Sequence, residues 1–169
     1  TKYADFAMYT AKHYKKGTIS EFNREEYDKN YILLSGNQYF YEFLEKKQVR
    51  YAFQPIVDAR TGEIFAYEAL MRSTSEHLEN IGQIMKFAKT QSRLTDIEII
   101  TFEETLRIFS ENLDKFKDRN LFINSIANVA LPQERIDFIS VEYRHVLNRL
   151  VIEIIEQEDI EDNSLKIKQ

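Results

Sequence analysis

The segment Tyr51 to Arg72, YAFQPIVDARTGEIFAYEALMR, reads as two strands joined by a tight turn. Tyr51 to Val57 is apolar and rich in β-formers. Asp58-Ala59-Arg60-Thr61-Gly62 supplies turn chemistry, with Gly62 free to take a positive φ. Glu63 to Met71 is a second apolar run, interrupted by one carboxylate, Glu68. A carboxylate among apolar strand residues is costly unless something positive meets it. Arg72, a lysine or a metal ion could fill that role.

After Arg72 the pattern changes. Ser73 to Glu76 has the form of a capping box, and Leu78, Ile81, Ile84, Met85 and Ala88 fall on one helical face. Thr95 to Glu98 has the same capping form. The helix after it is predicted to reach about Lys117, with Ile99, Phe102, Leu106, Phe109, Leu113 and Phe116 at helical steps. A strand follows over Asn120 to Asn124. Pro132 then opens a helix over Gln133 to about His145, and a last strand runs Arg149 to Ile155. The acidic-then-basic tail, Gln157 to Gln169, looks like the start of another helix. Helices alternating with apolar strands predict an α/β fold with a covered parallel sheet.

Ahead of Tyr51, residues 1–16 are helical in pattern and Gly17 is a stop. Glu21 to Gln48 is charged, aromatic and helical, with a break at Gly36-Asn37 where Asn37 can cap a second helix. Tyr39, Phe40, Phe43 and Leu44 form its apolar stripe, which can pack on its own domain or on a second copy.

The totals narrow the possibilities. A chain of 169 residues, 43% hydrophobic and 30% charged, can bury a sizeable core. Zero Cys excludes thiolate metal sites and disulfides, and fits a reducing cytosol. There is no signal peptide pattern and no apolar run near the roughly 18 residues that a membrane span needs, so a cytoplasmic location is expected. A net charge of −5 argues against binding nucleic-acid polymers. Only 4 Gly and no glycine-rich phosphate loop argue against a nucleoside-triphosphate cradle.

Three oxygen-bearing residues lie in or at the end of successive apolar runs: Glu68, Asn124 and Glu153. In a parallel barrel the C-terminal strand ends share one mouth. Carboxylate and amide oxygens suit hard divalent cations. His13, His77 and His145 are scattered, so a histidine-rich zinc site is not indicated. Each residue also has a plainer reading alone. Glu68 can be a solvated strand glutamate or a partner of Arg72. Asn124 can be a strand terminator, and Glu153 and Glu156 can be exposed positions of an edge strand.

Gln54-Pro55-Ile56 followed by Glu68-Ala69-Leu70 and Arg72 resembles the signature of the EAL family, the bacterial cyclic-di-GMP phosphodiesterase domains. Leu121 to Ser125 and Ile152 to Glu156 resemble two further motifs of that family, in the same order. The resemblance implies a TIM-type barrel whose first strand is antiparallel. About four of the eight strands of such a barrel are recognisable, so the chain is expected to hold the first half. It implies metal ligation of Mg²⁺ or Mn²⁺ by Glu68, Asn124 and Glu153. It also implies phosphate clamping by Arg72, nucleotide contact by Gln54, and a supporting catalytic role for Glu156 in fixing a nearby loop. The sequence departs from the family pattern at Ile155, where threonine is usual, and at Ser73, where tryptophan is usual. In Asn124-Ser125-Ile126-Ala127, many members carry serine two after the asparagine or a proline near Ala127.

Residues 4–12 resemble the last helix of a GGDEF (diguanylate cyclase) domain without its catalytic part; Lys12 then reads as a solvated lysine more readily than as a phosphate contact. The expected organisation is a GGDEF-like remnant at 1–22, a helical connector at 23–48, and the N-terminal half of an EAL domain at 49–169. The family's paired aspartates, catalytic lysine and later glutamate are expected after Gln169. The piece alone is therefore expected to be inactive, with its parent a cyclic-di-GMP phosphodiesterase. The alternatives are a degenerate module that binds cyclic-di-GMP without cleaving it, and a half-barrel that homodimerises through its open sheet edges.

Overall fold

The structure is a computed structural model that describes residues 37–155. The expected GGDEF-like segment, most of the connector, Glu156 and the tail lie outside those residues. Helix α1 covers residues 37–45. Strands β1 (Val49–Val57) and β2 (Ile64–Ser73) follow, then helices α2 (Ile81–Thr90), α3 (Leu94–Glu111) and the short α4 (Leu113–Phe116). Strand β3 (Asn120–Ile126), helix α5 (Gln133–Glu142), one 3-10 turn (Leu147–Arg149) and strand β4 (Leu150–Ile155) complete the order.

The turn between β1 and β2 is built by its own residues. Asp58 Oδ1 accepts from the backbone N–H groups of Arg60 and Thr61 at 2.8 and 3.2 Å. Those donors hold the Asp58 carboxyl below its usual range. Gly62 takes φ +71°, as the turn chemistry requires. The resulting pair is antiparallel, with Gln54 opposite Glu68. Strands β2, β3 and β4 then pair in parallel, in the sheet order β1-β2-β3-β4. The expected antiparallel first strand and parallel remainder are both present.

The helices pack on one face of this sheet. Tyr51, Ala69, Leu121 and Ile123 are buried there against Phe102, Leu106, Phe109 and Phe116. Because side chains alternate along a strand, Gln54, Glu68, Phe122 and Asn124 project to the other face. Helix α3 links two clusters. Its Phe102, Leu106 and Phe109 join the sheet cluster, while its Ile97 and Ile100 join Phe40, Phe43, Leu44, Leu78, Ile84 and Ala88. The apolar stripe of α1 is thus packed on its own domain. Strand β4 lies at the sheet edge, where Ile154 is 73% exposed and Ile152 and Ile155 are also exposed.

Several helix boundaries differ from the sequence expectation. Ser73 is the last residue of β2, so it caps no helix. Helix α2 begins later, at Ile81, where Asn80 Oδ1 accepts from Gly82 N–H at 2.7 Å. Ser75 instead turns the connecting loop by accepting from the N–H groups of His77 and Leu78, and Leu78 enters the core. Asn37 lies within the helical residues, and its Oδ1 accepts from Gln91 Nε2. The long helix is broken at Asn112, whose Nδ2 donates to the Ile108 carbonyl and whose backbone leaves the helical region. Helix α5 ends at Glu142 rather than near His145, because the chain must turn to bury Tyr143 and Val146.

This packing sets two stability outcomes. Phe43→Ala empties a fully buried site and is expected to cost about 3–5 kcal/mol in urea unfolding. Val141→Ala, at a position 79% exposed, is expected to stay within about 0.5 kcal/mol of wild type. Tyr51 presents a different case, because its hydroxyl oxygen is buried without a hydrogen-bond partner. Burial pushes its phenol from 10.0 up to about 12, opposed in part by the nearby Thr101 and Thr105 hydroxyls. The unfolded phenol therefore ionises first, and stability falls as pH rises from about 10 to about 12. Tyr51→Phe is expected to gain about 1 kcal/mol at neutral pH and to flatten that alkaline decline, as read by denaturation at a series of pH values.

Candidate active site at the strand ends

The candidate residues are set by register. Gln54 on β1 is directly opposite Glu68 on β2. Glu68 is level with Phe122 on β3, one pleat before Asn124. Asn124 is level with Glu153 on β4. Four neighbouring strands therefore each contribute one polar residue. Alternation would flip these residues to the opposite face if any strand slipped by one residue.

Glu68 and Asn124 touch. Asn124 Nδ2 donates to Glu68 Oε1 at 2.8 Å, which meets part of the cost of a carboxylate in an apolar strand. Of the partners open to Glu68, Arg72 is not the one: no Glu68–Arg72 ion pair forms among the described residues. Arg72 is exposed, and its Nη1 donates to its neighbour's carbonyl, Met71 O, at 2.9 Å. Strand β3 also continues past Asn124 to Ile126, so Asn124 does not terminate it. Glu153 is exposed on the edge strand. Glu156 lies outside the described residues.

The donor set is two carboxylates and one amide oxygen, the chemistry that hard divalent cations favour. Among the described residues no group of three or more His, Cys, Asp and Glu could hold a metal ion. The set fits such an ion as part of a coordination sphere and needs further oxygens to complete it. On this sheet face Gln54 and Glu153 are exposed, while Glu68 and Asn124 are half-buried. A groove of about 540 Å³ lies instead on the helical side, with Lys47, Arg93, Glu103 and Arg135 among its lining residues and none of the candidate residues.

Two residues of this region escaped the sequence reading. Arg50 is paired across the hairpin with Arg72. Two like charges in that relation repel unless solvent or an anion intervenes. The signal was available only once the turn length fixed the register. Glu98 was the other, read as half of a capping box. Helix α3 begins at Leu94 with no side-chain cap, and Glu98 is buried against the end of β3. It accepts from Ser125 Oγ and from Ile126 N–H. Burial raises its carboxyl above the usual range, opposed by those two donors.

The fold defines a partial α/β barrel with polar residues on one face of consecutive strands. The EAL domain pattern matches residues 37–167, and the chain belongs to the EAL domain family. The Xanthomonas citri FimX EAL domain in complex with c-diGMP is similar at TM-score 0.62 and 17% identity, over 78% of this chain and 52% of that one. The PaMucR phosphodiesterase in its c-di-GMP complex is similar at TM-score 0.61 and 20% identity, over 77% of this chain and 55% of that one. An EAL domain protein from Listeria monocytogenes EGD-e is similar at TM-score 0.54 and 20% identity, over 72% and 49% of the two chains. At these identities the likeness shows the fold. The chain spans about half the length of these structures. No curated protein sequence matches it. Among the described residues no helix is long and apolar enough to cross a membrane.

The contact at the centre of this site can be measured directly. A double-mutant cycle with Glu68→Ala and Asn124→Ala is expected to show a coupling of about 1 kcal/mol in unfolding free energy. Additive effects would contradict the hydrogen bond.

Proposed function

We propose that this chain is part of a metal-dependent phosphodiesterase that opens cyclic-di-GMP to linear pGpG. The observation that carries the reading is the Glu68–Asn124 contact with Glu153 in register beside it, on the strands of an EAL domain. The named relatives bound to c-di-GMP support the ligand class. Activity belongs to a protein in which the rest of the barrel is supplied. In the same reading, residues 1–22 are a GGDEF-like remnant, residues 23–48 a connector, and residues 49–169 the first half of the EAL domain.

In this mechanism Glu68, Asn124 and Glu153 would hold Mg²⁺ or Mn²⁺ through oxygen. Such ions, when bound, neutralise phosphate oxygens and lower the pKa of a water. The chain's own residues do the rest of the positioning. Asn124, by donating to Glu68, fixes the orientation of the carboxylate. Arg72 offers its remaining guanidinium N–H groups to a phosphate, a planar fork suited to two oxygens. Gln54, across from Glu68, contacts the nucleotide. Glu156 would fix a nearby loop rather than bind metal.

A second reading is a module that binds cyclic-di-GMP without cleaving it. Full-length protein assayed with Mn²⁺ separates the two. The first reading expects linear pGpG from wild type and background levels from Glu68→Ala. Tight cyclic-di-GMP binding with no product from wild type would leave the binding module. Neither binding nor product would overturn both.

A further inference from the structure

We infer that Glu98 is a positioning residue for the candidate metal site, acting through the end of β3. This rests on the reading of Asn124 as a ligand and deepens it. Glu98 is only 2% exposed. A carboxylate so placed is unfavourable unless its oxygens are satisfied, and here both are used. One oxygen accepts from the Ser125 hydroxyl, the residue immediately after Asn124. The other accepts from the backbone N–H of Ile126 at 3.2 Å, the last residue of β3. The strand is thus pinned on its helical face just past the point where Asn124 leaves it on the other.

The backbone beyond Ile126 makes a pin necessary there. Asn128 takes φ +63°, and Val129 N–H returns to the Ile126 carbonyl at 3.1 Å. The chain turns sharply out of the strand soon after Asn124. Ala127 N–H reaches the Ile155 carbonyl at 3.1 Å, tying the same turn to the end of β4, the strand of Glu153. Glu98 therefore connects the rigid helix α3 to a turn that touches both β3 and β4. Outer partners of this kind orient the groups that ligate metal, and their loss commonly costs about 10–100-fold in metal affinity.

The geometry also assigns a rescuing substitution. In Glu98→Gln the amide oxygen can accept from Ile126 N–H while the NH2 group donates to Ser125 Oγ, because a hydroxyl can reverse its role. Glu98→Ala leaves the part-buried Ile126 N–H without this partner. Ser125→Ala removes one of the two bonds and keeps the backbone one, so it serves where Glu98→Ala does not fold.

The test uses the full-length protein and three readouts: Mn²⁺ affinity by electron paramagnetic resonance, hydrogen exchange of the Ile126 amide, and the Asn124 side-chain amide signal in NMR. Glu98→Ala is expected to weaken Mn²⁺ binding by about 10-fold or more, to expose the Ile126 amide to exchange and to shift the Asn124 signal. Ser125→Ala should give a smaller loss in the same direction, and Glu98→Gln should return all three close to wild type. Val141→Ala, at an exposed position of α5, should leave all three readouts unchanged. Unaltered Asn124 signal and Mn²⁺ affinity in the folded Glu98→Ala or Ser125→Ala variant would overturn the inference. Wild-type protein that binds no Mn²⁺ would overturn the metal reading instead, and the Asn124 signal alone would then decide whether Glu98 positions it.

Discussion

The parallel register of β2, β3 and β4 is the constraint on which the rest depends. Side chains alternate with a period of two, so register alone decides which residues meet the helices and which meet the open face. Here it sends Ala69, Leu121 and Ile123 into the core. It sends Glu68 and Asn124 to the other side, close enough to share a 2.8 Å hydrogen bond. A slip of one residue would expose the first set and bury the carboxylate. The hydrophobic pattern and the polar site therefore enforce one another.

Helix α3 is the element that keeps this register. It carries apolar residues into both core clusters and joins them through consecutive turns. It also carries Glu98 to the end of β3. The hairpin before it is fixed locally by Asp58 and Gly62. Strand β4, by contrast, has helix-supported neighbours on one side only, and its isoleucines remain exposed at the sheet edge. That exposure marks where the described sheet can extend.

Much of this was legible in the residues. The turn at Asp58 to Gly62 announces itself through a side chain that bonds its own backbone and a residue that tolerates positive φ. The four apolar runs became the four strands, because runs bounded by turn residues have few other uses. The helix starts were less legible. Ser73-to-Glu76 and Thr95-to-Glu98 both carry the capping spacing, yet neither caps a helix. The spacing records only which atoms could meet locally. A long-range partner, Ser125 for Glu98, won the competition. The break at Asn112 was hidden for a similar reason, since apolar steps of three and four continue through it to Phe116. At the site, motif order singled out Glu68, Asn124 and Glu153, and the fold brings the first two into contact. The Arg50–Arg72 pairing needed the register.

The central claim is that Glu68, Asn124 and Glu153 form one oxygen-lined site across three parallel strands. A crystal structure of the full-length protein grown with Mn²⁺, with the ion located by anomalous scattering, tests it most directly. The account predicts an anomalous peak bonded to oxygens of all three side chains. A peak bonded elsewhere, with these three side chains directed apart, would contradict it.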